Sequence, residues 1–166
     1  SDALYTDHNG QVASYLNVIS VDLQTCTIVI SRNNSTPVYI CMRDRIEKLS
    51  GESNPIGMNR SVKPSITEIP LEVGLTVIAF TEGLLKAGSG SGLSFEMDTL
   101  IESLLEEQEP SAQAVADTIL SDAIRMDNRQ PQNDMSIVVL RVLAHSVDSV
   151  RRMTIQLPYG VPDCPC

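Results

Sequence analysis

The chain has 166 residues, enough for one domain with a core of its own. It is 42% hydrophobic and 20% charged, with two Phe, four Tyr and no Trp, so Val, Ile, Leu and Met must fill the interior. A net charge of −9 argues against nucleic acid or an anionic membrane as the main partner. No apolar run reaches the length of a bilayer span and no signal peptide opens the chain, which predicts a cytoplasmic protein.

Residues 1–10 read as a polar leader without hydrophobic periodicity. Gln11 to Val21 and Cys26 to Ser31 then predict two strands joined by Asp22-Leu23-Gln24-Thr25, their partial alternation fitting antiparallel pairing over a core. Arg32-Asn33-Asn34-Ser35-Thr36-Pro37 is a turn cluster, since Asn tolerates left-handed backbone and bonds its own main chain. Val38 to Met42 and Ile46 to Leu49 flank Arg43-Asp44-Arg45 as a hairpin, and Ser53 to Met58 is loop. Ser65 to Leu71 alternates again and leads through Gly74 into Val77-Ile78-Ala79-Phe80, an unbroken apolar run of the kind buried on both faces.

Beyond this strand the character changes. Gly88 to Gly92 predicts a flexible loop. Met97, Leu100, Ile101, Leu104 and Leu105 recur at helical spacing, with acids on the other face and Pro110 as a stop. Ser111 is an N-cap for a second helix whose buried stripe is Ala112, Ala116, Ile119, Leu120 and Ala123. The polar stretch Asp127 to Asn133 precedes a last apolar strand, Ile137 to Val142. Arg152 to Pro158 alternates and predicts one further strand at an edge. Strands first, then two helices, then a strand give an α+β fold with an antiparallel sheet.

Two stretches carry chemistry. Thr81-Glu82-Gly83 sets a carboxylate at the end of a buried strand, and Asn133-Asp134 sets amide and acid groups just before another. Oxygen donors from two strand ends at one sheet edge would suit a hard cation such as Mg²⁺ or Mn²⁺, and a pair of such ions can activate water for phosphoryl transfer. The plainer reading of both stretches is solvated polar turns.

Taken together, Asn54-Pro-Ile-Gly57, Leu71-Glu-Val-Gly74, Thr76-Val-Ile-Ala-Phe-Thr-Glu-Gly83, the two helices and Asn133-Asp-Met-Ser-Ile-Val-Val-Leu140 resemble the metal-dependent PPM-type (type 2C) serine/threonine protein phosphatases. The nearest likeness is to their bacterial branch, typified by the stage II sporulation protein E phosphatase domain. The resemblance runs from about Gln11 to Val142, leaving 143–166 as a C-terminal extension. It implies an antiparallel β-sandwich flanked by helices, two Mn²⁺ or Mg²⁺ ions at one edge of the sandwich, and an ion-held water as nucleophile, with no separate catalytic side chain. Glu82 would be one ligand, Asn133 or its neighbour Asp134 a second, and Gly83 would lend its carbonyl through a water. The substrate would be a phosphorylated bacterial regulatory protein.

The family pattern is altered in three places. Glu82 stands where the family has Asp, and its extra methylene moves the carboxylate by roughly an ångström in a site that wants near-octahedral geometry. Asn133 stands where the family has Asp, so a donor remains but a charge is lost. Nothing before Gln11 resembles the strand, glycine-rich turn and helix that carry the family's first metal-binding Asp. The sequence therefore corresponds to the C-terminal two-thirds of such a domain, and strand edges left open would call for a partner or a homodimer.

These alterations leave two readings, a Mn²⁺/Mg²⁺-dependent protein phosphatase and a catalytically impaired phosphatase fold that binds a signalling partner. Other features predict no site. Cys26 and Cys41 read as buried thiols, Cys164-Pro165-Cys166 lacks zinc-site spacing, and His8 and His145 follow no ligand pattern. Gly88 to Gly92 lacks the Lys-Ser/Thr of a P-loop. Glu102, Glu106, Glu107 and Glu109 form a solvated helix face.

Overall fold

A computed structural model describes residues 1–51, 53–106 and 110–144. The edge strand expected over Arg152–Pro158, His145 and the terminal cysteines lie outside the described residues.

A first sheet holds β1 (Leu16–Asp22), β2 (Thr27–Asn33) and β5 (Ser65–Pro70) in the order β1-β2-β5. A second holds β3 (Val38–Cys41), β4 (Ile46–Leu49), β6 (Thr76–Phe80) and β7 (Ile137–Arg141) in the order β4-β3-β6-β7. Every pairing is antiparallel. Ile28, Ile30 and Ile69 of the first sheet meet Val38, Ile40, Val77 and Ala79 of the second in one buried cluster. Side chains alternate along a strand, so Tyr39, Cys41, Ile78 and Phe80 point the other way. There they pack under α3 (Met97–Glu106) and α4 (Ala112–Met126) through Met97, Ile101, Leu104, Val115, Ile119 and Ala123. The layers are sheet, sheet, helices. β3 and β6 lie in the middle layer and bury every residue, which is why their sequences run apolar without alternation.

Local signals set the ends of these elements. Ser111 Oγ accepts the Ala114 N–H at 3.1 Å, as an N-cap does. The α4 stripe is phased on Val115, Ile119 and Ala123; Ala112, Ala116 and Leu120 flank it half-buried. Four other expectations are corrected. The leader is helical, as α1 (Asp2–His8), closed by Asn9 in the left-handed region at φ 50°. Gly88–Gly92 is ordered as a 3-10 turn over Ser89–Ser91 between two left-handed glycines. Cys26 is exposed at φ 53°, because it closes the tight β1–β2 turn in which the Asp22 carboxylate accepts the Gln24 and Thr25 N–H groups. β7 is half-buried, not fully buried, and pairs among the described residues with β6 alone.

α3 is fastened to the sheet by a polar clamp. The Tyr39 hydroxyl donates to the Asp98 carboxylate, and Lys48 Nζ reaches both Asp98 oxygens at 2.9 and 3.0 Å. Burial first, then Asp98, pushes the Tyr39 pKa up to about 12; the Tyr39 hydrogen bond first, then Lys48, holds the Asp98 carboxyl below its ordinary value. A carboxyl lowered on folding adds stability above its unfolded pKa and loses it as pH falls through the folded one. Asp98→Ala is therefore expected to cost about 1 kcal/mol near neutrality, a modest figure because the carboxylate is more than half exposed. Thermal melts should show the gap from wild type closing below about pH 4; a gap constant down to pH 2 would sink the clamp.

Candidate functional site

The site is built at the C-terminal end of β6, where β6, β7 and the β2–β3 connection meet. The β6–β7 register pairs Phe80 with Ile137, so the next residues out, Thr81 and Ser136, also face each other. The Thr81 N–H donates to the Ser136 carbonyl at 3.0 Å, and the Ser136 N–H donates to Thr81 Oγ1 at 2.9 Å. Thr81 Oγ1 in turn donates to the Asp134 carbonyl at 3.2 Å. Thr81 is also the N-cap of a single helical turn, α2 (Glu82–Leu85), but its hydroxyl serves the neighbouring strand instead of the helix.

Gly83 explains how close the two stretches come. A Cβ there would overlap the Asp134 carbonyl oxygen and lie 3.0 Å from its carbonyl carbon and 3.2 Å from Asn133 Cβ. Only the missing side chain allows the Asn133-Asp134 backbone to lie on α2. All four residues singled out in the sequence, Glu82, Gly83, Asn133 and Asp134, thus share one end of the second sheet. The Glu82 carboxylate is 64% exposed and pairs with Lys86 Nζ at 2.9 Å, one helical turn on. Asn133 and Asp134 are exposed.

These groups are hard oxygen donors of the type Mg²⁺ and Mn²⁺ take. Among the described residues, however, no three His, Cys, Asp or Glu side chains gather as a metal site requires. Two carboxylates and one amide suit one side of a single cation, with water and substrate oxygens completing its shell. They fall short of what two ions need.

A cleft of about 270 Å³ opens beside Glu82, lined by Tyr15, Asn34, Ser35, Thr36, Thr81 and Glu82. Four of these residues went unmarked in the sequence, where Asn34 to Thr36 read only as a turn. They offered the cue that marked Asn133-Asp134, polar groups immediately before a buried strand. Arg32 and Asn33, grouped with that turn, are buried at the end of β2. The Arg32 guanidinium donates to the Leu49 carbonyl, and Asn33 Nδ2 donates to the carbonyls of Asn54 and Lys63 at 3.1 and 3.4 Å.

Residues 1–143 match the family model for stage II sporulation protein E, SpoIIE. The stage II sporulation protein E of Bacillus subtilis (strain 168) is 24% identical over 133 residues, which cover 80% of this chain and 16% of that protein. The solved phosphatase domain of SpoIIE from Bacillus subtilis, presoaked with Mn, superimposes with a TM-score of 0.64 at 20% identity, covering 81% of this chain and 59% of that one. The Mycobacterium tuberculosis serine/threonine phosphatase PstP/Ppp gives a TM-score of 0.65 at 12% identity, covering 86% and 66%. The fold is that of the PP2C phosphatase domains. This chain spans less than two thirds of each of these relatives. A family model matched over most of its length shows that the chain belongs to the stage II sporulation protein E family.

Proposed function

We propose that the chain forms part of a metal-dependent protein serine/threonine phosphatase domain that hydrolyses phosphoserine or phosphothreonine on a bacterial regulatory protein. The observation that carries this reading is the convergence of Glu82, Gly83, Asn133 and Asp134 at one end of β6 and β7, fixed by the Thr81–Ser136 pairing and the bare Cα of Gly83. Glu82, Asp134 and Asn133 would hold Mn²⁺ or Mg²⁺ there. When bound, the ion supplies Lewis acidity toward a phosphoryl oxygen and toward water. The site itself contributes an anchored strand end and an open face: Thr81 ties the two strand ends together, and exposure of Glu82 and Asp134 leaves room for a phosphorylated side chain to approach. No helix among the described residues is long and apolar enough to cross a membrane.

The pairing of Glu82 with Lys86 favours a second reading, a phosphatase fold with an impaired site that binds a signalling partner. One experiment separates the two. Mn²⁺-dependent hydrolysis of a phosphoserine peptide is measured on the longest form of the protein, beside the double variant Glu82→Asp, Asn133→Asp. The phosphatase reading expects turnover in the wild type, abolished by chelation. Turnover in the double variant alone would mean a retired site on a sound scaffold. Silence in both would leave the binding module.

A further inference from the structure

The cleft beside Glu82 is built by strand register from both sheets. Val38 pairs with Ala79 in β3 and β6, so Thr36 falls opposite Thr81 and Ser35 opposite Glu82 just beyond the strand ends. Leu16 pairs with Asn33 in β1 and β2, which brings Tyr15 level with Asn34. The β2–β3 connection crosses from one sheet to the other at this point and forms the wall facing Glu82.

That wall is held firmly. Arg32 and Asn33 anchor its start through the carbonyls of Leu49, Asn54 and Lys63, and Ser53 Oγ donates to the Arg32 carbonyl at 2.9 Å. Thr36 and Pro37 are buried at its end. Between them Asn34 Oδ1 accepts the Thr36 N–H at 3.0 Å. This bond fixes the carboxamide and leaves its Nδ2 free to donate. Ser14 bonds Ile56 in both directions at 2.9 Å and so sets the backbone beside Tyr15, a residue that is 60% exposed. Asn34 Nδ2, Ser35 Oγ and the Tyr15 hydroxyl have no hydrogen-bond partner among the described residues. Among the described residues that line the cleft, Glu82 alone is charged.

We infer that Tyr15, Asn34 and Ser35 form the substrate-side wall of the site and hold a phosphorylated serine or threonine of a protein segment against the Glu82 end of β6. The inference rests on the phosphatase-domain reading above. Neutral donors on a fixed turn can bond phosphoryl oxygens without competing with a cation for the carboxylates. An exposed aromatic ring one position along gives an extended peptide a flat apolar surface at low entropy cost. A cleft of this volume takes one side chain and part of a backbone.

The test pairs hydrolysis with binding. On the longest form of the protein with Mn²⁺, a phosphoserine peptide is assayed with wild type, Tyr15→Ala and Ser35→Ala, and the same labelled peptide, with and without its phosphate, is titrated by fluorescence anisotropy. Each variant is expected to raise KM and Kd for the phosphopeptide about tenfold, with kcat lowered less than about threefold, as loss of an interaction made equally before and during reaction requires. Both side chains are exposed, so melting temperatures should stay at the wild-type value. Turnover with unchanged KM and Kd in both variants would overturn the wall and leave the phosphatase reading intact. Phosphate-dependent binding without turnover, weakened by both variants, would uphold the wall and remove the enzyme. Neither turnover nor phosphate-dependent binding would overturn both.

Discussion

Ile78→Ala is expected to lower stability by about 2–5 kcal/mol, the span for truncating a large side chain in a packed core. In a chain of this size that corresponds to a fall in melting temperature of roughly 5–15 °C. Ile78 is fully buried at the centre of β6, on the face that carries the two-helix layer. Truncation removes three carbons from a place where the surroundings cannot close up. β6 is hydrogen-bonded on both sides, to β3 and to β7, and Tyr39 and Phe80 stack nearby with ring centroids 6.0 Å apart. Val138→Ala, one strand over and 59% exposed, is the matched control and should stay within about 0.5 kcal/mol. Equal effects at the two positions, read by urea or thermal unfolding, would contradict the three-layer core.

The parts of the fold that could be read from sequence are those where burial and periodicity coincide. Residues 77–80 are apolar throughout because a middle-layer strand faces a core on each side. Ser111 marks the start of α4 because its hydroxyl is local to the N–H it caps. The α4 stripe is legible in part, since Ile119 and Ala123 stand on it, but Ala112 and Ala116 mimic a buried row while Val115 sits on the true one. α1 escaped because it buries no residue and so leaves no stripe. Arg32 and Asn33 looked like turn residues because nothing in composition foretells that three distant carbonyls will accept from a buried strand end.

The candidate site divides in the same way. The Glu82 and Asn133-Asp134 stretches stood out because each breaks abruptly from an apolar run. Two of its features depend on tertiary register and were invisible: the cleft wall at Tyr15 and Asn34 to Thr36, and the pairing of Glu82 with Lys86. The i,i+4 spacing of that pair permits contact on a helix. Whether α2 forms at all is decided by how the chain turns after Thr81, which the β7 strand end controls.

That control gives the second large expectation, at Gly83. Gly83→Ala should destabilise the protein by about 1–3 kcal/mol, the range for forcing atoms into a filled space. The cause is steric, not conformational, because Gly83 is absent from the positive-φ glycines. Its new methyl would collide with the Asp134 carbonyl and press on Asn133 Cβ. Both obstacles are close to main chain, so relief requires the Asn133-Asp134 backbone to move away from α2 and to strain the Thr81–Ser136 pairing that holds it. Gly90→Ala is the natural contrast. Nothing lies within 4 Å of a Cβ there and its φ is not left-handed, so the change should be neutral or slightly stabilising. If the site is a phosphatase centre, displacing Asn133 and Asp134 by even an ångström should lower turnover about a hundredfold. Melting curves and peptide hydrolysis on the two glycine variants therefore measure one geometric fact twice. A Gly83→Ala protein as stable as wild type would mean that the two strand ends are not held in contact, and the site would lose the arrangement on which its chemistry depends.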